Sequence, residues 1–291
     1  MPTPAFLPPA YADFHAHTTA SDGTFTPTEL VRAAHDAGLT YLAVTDHDTT
    51  HGVPEAMQAA KENGIRLLPG VELSAEGQPG KCHLLGLGID PDHGPLIDTL
   101  RQLSENRRQR NEKMAQRLTG LGVPITLEEV TAAAPPGANV GRPHFADVLV
   151  QKGYVRDKYE AFARYLGDDA AGYVEKETLS PADAIRLVHD AGGYCFLAHP
   201  ALVKMNEHET FETRWAAYQA LGLDGIEAYY NLHTPAQTER FVRLAQKLNL
   251  LVTGGSDFHG ANKPDVRLGE VIDGAKLNAE LLPEVLRFKT L

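Results

Sequence analysis

Alternation and periodicity divide the chain into short apolar runs separated by amphipathic segments. In the first run, Tyr11 to His17, a strand would turn Asp13, His15 and His17 to one face and Phe14 and Ala16 to the other. Thr26-Pro27-Thr28-Glu29 then has an N-cap threonine, proline at the first helical position and glutamate three after the cap. That start predicts a helix to about Ala37, ended by Gly38. The apolar run Thr40 to Thr45 predicts a buried strand delivering Asp46-His47-Asp48 at its end. The rhythm repeats with a helix from about Val53 to Asn63, a strand Ile65 to Val71 ending at Glu72, and an apolar segment Cys82 to Ile89. Strands alternating with helices across short glycine-marked connections predict an α/β fold with a mainly parallel sheet.

From about Asp98 to Tyr173 the pattern becomes helical throughout. Asp98 to Leu121 is amphipathic and basic, a second helix begins near Leu127, and Gly141-Arg142-Pro143-His144-Phe145 opens a third. The expected organisation is an α/β domain of residues 1–97 and 174–291, with a small all-α insertion, 98–173, covering its site. The α/β rhythm resumes with a capped helix from Ser180 and a strand Tyr194 to Ala198 that ends in His199-Pro200. A strand Leu223 to Ala228, a helix Pro235 to Leu248 and a last strand Leu250 to Gly254 lead to Asp257.

Composition narrows the function classes. The 291 residues suffice for a barrel-sized domain with an insertion, and no apolar run is long enough to span a bilayer. A net charge of -11 argues against a long basic groove for duplex nucleic acid, but not against a short phosphorylated ligand. Two distant cysteines, Cys82 and Cys195, fit reduced thiols. The first residues lack a signal-peptide pattern, so a cytoplasmic location is expected, and nothing marks an obligate protein partner.

Nine residues collect at predicted strand ends: His15, His17, Asp22, His47, Glu72, His83, His199, Asp257 and His259. In parallel α/β architectures the carboxyl ends of the strands converge on one opening. Six histidines and three carboxylates gathered there have no packing rationale and would repel or stay unsatisfied without cations. Imidazole and carboxylate without thiolate suit Mn²⁺, Zn²⁺ or Fe²⁺ in a catalytic centre. His35 and His189, in helices, and His93, His208 and His233, in segments expected to be exposed, read as structural or solvated.

The segments Asp13-Phe14-His15-Ala16-His17, Thr45-Asp46-His47-Asp48, His199-Pro200 and Gly255-Ser256-Asp257-Phe258-His259 resemble the motifs of the PHP (polymerase and histidinol phosphatase) metal-dependent phosphoesterases. Glu72, within Pro69 to Leu73, matches that family's bridging carboxylate, and the resemblance spans residues 11–97 and 180–260. It implies a distorted (β/α)₇ barrel carrying two or three divalent ions, Mn²⁺ first and Zn²⁺ or Fe²⁺ as alternatives. One ion would take His15, His17, Glu72 and Asp257, a second Glu72, His83 and His199, and a third Asp22, His47 and His259. Asp13 would stand behind the ligands. A metal lowers the pKa of bound water from about 15.7 to about 7, so a metal-bridging hydroxide would attack the phosphate ester directly. His199, Asp257 or His259 would pass a proton to the leaving oxygen.

Specificity is expected from the insertion. Ser104, Arg107, Arg108 and Asn111 have the spacing of one helix face, and Arg142 and His144 sit at a helix start suited to an anion. A solvated charged face is the alternative for the run Arg107 to Arg117. The Gly141-Arg142-Pro143-His144 run resembles a PHP subgroup that removes the 3′-phosphate of nucleoside 3′,5′-bisphosphates, with relatives that trim short RNA from the 5′ end. The resemblance therefore implies a small nucleotide substrate or short RNA. A histidinol-phosphate phosphatase and a catalytically silent, metal-stabilised scaffold are the other readings.

Overall fold

Seven strands close on themselves in the computed structural model, which describes residues 9–289. The first half contains β1 (Ala12–Asp13), α1 (Pro27–Asp36), β2 (Tyr41–Val44), α2 (Val53–Asn63), β3 (Arg66–Ala75) and β4 (Cys82–Leu87). A helical stretch follows: α3 (Gly94–Gly120), α4 (Leu127–Ala133), α5 (Arg142–Gln151) and α6 (Lys158–Ala161), the last continuing as a π-helical turn over Phe162–Leu166. The chain then returns through α7 (Pro181–Asp190), β5 (Tyr194–Leu197), α8 (Phe211–Ala220), β6 (Gly225–Tyr230), α9 (Pro235–Lys247) and β7 (Leu251–Gly255), with α10 (Glu284–Phe288) near the end. Local chemistry sets several of these starts. Thr26 and Thr234 form capping boxes, and Ser180 caps α7.

Strand order follows chain order from β1 to β7. The backbone N–H of Phe14 donates to Gly254 C=O (3.1 Å), that of Asp257 to His15 C=O (2.8 Å), and that of His17 to Phe258 C=O (2.9 Å). These bonds close the barrel and set the segment of His15 and His17 beside that of Asp257 and His259. All pairings are parallel except those of β4, which runs antiparallel to both neighbours. Only a short turn joins β3 to β4, whereas a parallel partner needs a crossover of roughly a dozen residues or more. His83 therefore lies at the start of its strand, not at a strand end as expected, and reaches the same rim because the strand is reversed.

The barrel layers and the helical stretch have separate apolar cores. One cluster packs Leu30, Val31 and Ala34 of α1 and Ala56 and Ala60 of α2 on Leu42, Val44 and Leu67. Another gathers Ile185 and Val188 of α7, Trp215 and Phe241 against Leu84, Cys195 and Ile226. The insertion has its own cluster around Met114, Leu118, Val130, Phe145 and Leu149. The expected start of the insertion at Asp98 falls inside α3. That helix begins at Gly94, and its Leu96, Leu100 and Leu103 belong to the barrel cluster. One helix of about 40 Å thus serves both cores and carries the insertion over the rim without a hinge. No helix among the described residues is long and apolar enough to cross a membrane.

Candidate active site

Glu72 lies at the centre of the rim, almost fully buried, ringed by five imidazoles. Its Oε1 is 2.9 Å from His83 Nδ1 and 3.0 Å from His199 Nε2. Its Oε2 is 2.9 Å from His47 Nδ1, 3.2 Å from His17 Nε2 and 3.4 Å from His15 Nε2. Asp257 Oδ1 approaches the same two nitrogens of His17 and His15, at 3.4 and 3.5 Å. Asp22 faces His259 Nε2 (3.3 Å) and His47 Nε2 (3.8 Å). All nine expected residues therefore meet in one place.

Three sets offer ligand atoms within 4.8 Å of one another: His17, Asp22, His47 and His259; His15, His17 and Asp257; and His47, Glu72 and His83. The partition differs from the expected one. His17 also joins the Asp22 set, and His47 stands with Glu72 and His83.

The donor atoms themselves test whether cations fit. His15 Nε2, His17 Nε2, Glu72 Oε2 and His199 Nδ1 are buried and make no well-aligned hydrogen bond among the described residues, although buried polar atoms almost always have one. Three of the four point into the cluster, so the residues present fit divalent ions. Burial disfavours charge here, yet the carboxyls outweigh it at two imidazoles. Glu227, Glu72 and Asp257 raise His15 well above its ordinary value, and Asp257 and Glu72 raise His17 to about 9. Reciprocally, and again against burial, nearby imidazoles help hold the Asp22, Glu72 and Asp257 carboxyls well below the usual range, and Lys263 contributes at Asp257. His259 moves the other way, down to about 4, through burial and the neighbouring His17.

Apart from Asp13, the residues that support the cluster carry no motif of their own. Buried Glu227 accepts from His15 Nδ1 (2.9 Å) and from the backbone N–H of His199 (2.7 Å), so His15 presents Nε2 to the cluster. Its sequence signal was a charge inside the apolar strand β6. Tyr230 Oη (2.9 Å) and Lys263 Nζ (2.6 Å) donate to Asp257 Oδ2, leaving Oδ1 for His15 and His17. His259 Nδ1 is held by Asp257 C=O (2.8 Å), turning Nε2 toward Asp22. Asp46 accepts from Thr18 and Ser21 and shapes the loop bearing Asp22. Asp13 accepts from Ser256, Gly269 and the His15 backbone, behind the cluster. His199 and Asp257 both have positive φ, 29° and 55°, a strained state for such residues, found where function demands it.

Across the rim, a cavity of about 210 Å³ lies between the cluster and the insertion. Asp22, His47 and His83 line one side, and Lys81, Arg107, Arg110, Arg142 and Lys176 the other, with Phe162 and Tyr173. Arg142 lies over the rings of Phe162 and Tyr173 and binds Asp168 (2.6 Å) and Leu166 C=O (3.0 Å). Arg107 pairs with Asp48. Arg110 is buried and has no hydrogen bond or ion pair among the described residues. Burial, then Arg107 and Arg142, push its guanidinium down to about 9. Lys176 falls to about 8, through burial and Arg107.

Four expected substrate contacts need correction. Arg108 is exposed and bound to Glu105 and Glu112, so it is a solvated surface residue. Ser104 donates to Asn139 Oδ1 (3.3 Å) and faces a neighbouring groove. Asn111 is buried but braces Val140 C=O (2.9 Å). His144 Nδ1 accepts the N–H of Gly141 (3.0 Å), closing the helix start that was expected to hold an anion. The inward stripe of α3 is Leu103, Arg107, Arg110, Met114 and Leu118, so Ser104 and Arg108 lie to one side of it. Two arginines where that period calls for apolar residues were the overlooked signal for Arg110. His233 is buried rather than exposed, held by Ala228 C=O (2.9 Å), and His93 is half-buried. His35 and His208 are exposed, and His189 pairs with Asp224.

Known proteins resemble this chain in sequence and fold. A profile of the PHP domain matches residues 13–121. A 5′-3′ exoribonuclease of Haemophilus influenzae is 36% identical over 85% of this chain and 89% of its own length. A 3′,5′-nucleoside bisphosphate phosphatase of Chromobacterium violaceum is 34% identical over 91% and 92%. A crystal structure from Bifidobacterium adolescentis, assigned as a metal-dependent phosphoesterase, superposes with a TM-score of 0.85 at 34% identity, covering 98% of each chain. By sequence, by fold and by the composition of its rim, this chain belongs to the PHP domain family.

Proposed function

We propose that this protein removes the 3′-phosphate of nucleoside 3′,5′-bisphosphates, such as adenosine 3′,5′-bisphosphate, releasing the 5′-monophosphate and inorganic phosphate. It is a hydrolase of phosphoester bonds, as its relatives are. One observation carries the finer reading: the cavity facing the metal cluster is lined by cations of the insertion, so a ligand there meets positive charge at two places. A substrate with a scissile and a non-scissile phosphate satisfies both.

Two or three divalent ions, Mn²⁺ first, held by the nine rim residues would activate water at neutral pH and neutralise the phosphoryl oxygens. Around them, Glu227 fixes the ring of His15, and Tyr230 and Lys263 aim Asp257. Arg107, Arg110, Arg142 and Lys176 orient the second phosphate, so binding energy remote from the reacting atom aligns the scissile bond. The expected location is the cytoplasm.

The test is a chelation and Mn²⁺-rescue assay on a panel of phosphoesters. Preference for adenosine 3′,5′-bisphosphate over 3′-AMP, reduced by Arg142→Ala, supports the reading, and an unchanged ratio removes Arg142 from it. Trimming of short RNA from the 5′ end is the second reading, favoured by the Haemophilus relative. Competition between oligoribonucleotides and the bisphosphate separates the two.

A further inference from the structure

Asp48, one residue after His47, has no place in the metal cluster and is nonetheless 1% exposed and held at a positive φ of 51°. Its backbone N–H donates to Glu72 C=O (2.9 Å), so it is pinned to the strand carrying the central carboxylate. Its Oδ1 accepts from the Ser74 N–H (2.8 Å) and its Oδ2 from Ser74 Oγ (3.2 Å). The same Oδ2 accepts from Lys176 Nζ (2.7 Å) and from Arg107. Lys176 Nζ also donates to Ser74 Oγ (3.0 Å).

These two cations approach from opposite ends of the insertion, Arg107 from α3 and Lys176 from the segment leading back to the barrel. Asp48 and Ser74 are themselves one and two residues from His47 and Glu72. The cation face is therefore referenced to the strands that hold the metal ligands, through a single carboxylate. With Arg107 and Lys176 drawn to it, Arg110 is left in the same cavity without an acid of its own among the described residues.

We propose that Asp48 is a positioning residue that sets the spacing between the metal cluster and the second-phosphate cations, and so selects bisphosphates over monophosphates. The proposal rests on the bisphosphate reading above. A buried carboxylate with two cations and two Ser74 donors loses charge-assisted bonds when made neutral, while its shape is kept. A staple that only held the insertion in place would act on all substrates alike.

The experiment measures kcat/KM for adenosine 3′,5′-bisphosphate and for 3′-AMP in the Mn²⁺-loaded full chain, with metal content determined for each variant. In Asp48→Asn, the bisphosphate-to-monophosphate ratio is expected to fall roughly tenfold or more, mostly through KM for the bisphosphate, at unchanged metal content. Ser74→Ala, which removes the Ser74 Oγ contacts to Asp48 and Lys176, should lower the ratio in the same direction by a smaller factor, and it carries the test if Asp48→Asn fails to fold. In an Arg107→Met/Lys176→Met background, Asp48→Asn should change the ratio no further. A parallel loss on both substrates, or a full effect in that background, overturns the positioning role. A parent protein that turns over both substrates without preferring the bisphosphate overturns the underlying reading, and this proposal with it.

Discussion

At the barrel rim, nine side chains turn their polar atoms toward one another, and several of those atoms are buried with no well-aligned hydrogen bond among the described residues. Across the cavity, Arg107 and Lys176 are tied to Asp48 and Arg142 to Asp168, and Arg110 has no such partner among the described residues. The rim gathers ligand atoms that cations would satisfy, whereas the four cations across the cavity share two carboxylates and are neutralised only in part. Unsatisfied donors of one sign of chemistry mark where ions belong. A partly neutralised cation cluster keeps surplus positive charge for an anionic ligand, at lower desolvation cost than a fully unpaired cluster would carry. The regions also differ in construction. The rim stands on closed strands, and the insertion on one helix and a returning segment.

This contrast can be broken from either side. The largest effect is expected at the rim. Glu72→Gln should reduce turnover of every phosphoester by roughly a thousandfold or more, with metal content lowered in elemental analysis. Equal loss on all substrates is the signature; a loss confined to bisphosphates would contradict the division. Glu227→Gln should cost roughly 10- to 100-fold in metal affinity or activity, again on all substrates, measured by metal titration. Arg110→Met should lower kcat/KM for the bisphosphate by roughly ten- to a hundredfold and spare metal content, seen by comparing substrates with and without the second phosphate. The smallest effect is expected at Arg108→Ala, within about twofold on any substrate, because its partners Glu105 and Glu112 are exposed helix neighbours. A large effect there would place the ligand on the other side of α3.

The rim was legible because strand geometry turns sequence spacing into spatial spacing. His15 and His17 alternate onto one face, and the short apolar runs before His47, His199 and Asp257 read as strands that end near them. The insertion was less legible. Ser104, Arg107, Arg108 and Asn111 obey helical spacing, yet that rule does not say which face turns inward. The face was chosen by Leu103, Met114 and Leu118 docking, which carries Arg107 and Arg110 inward and leaves Arg108 in water. Lys176 lay in no motif and is brought to the cavity by chain closure over about 70 residues from Arg107.

What the sequence by itself determined is the chemistry: the strand and helix rhythm, the nine candidate ligands and the need for cations that so many imidazoles and carboxylates create. What only the tertiary structure decided is how the groups share partners. The reversal of β4 presents His83, β6 supplies Glu227 beneath His15, and Asp48 gathers Arg107 and Lys176. Local periodicity encodes which side a residue faces, but pairing between distant charges depends on packed elements and closed barrel strands, which no local pattern records.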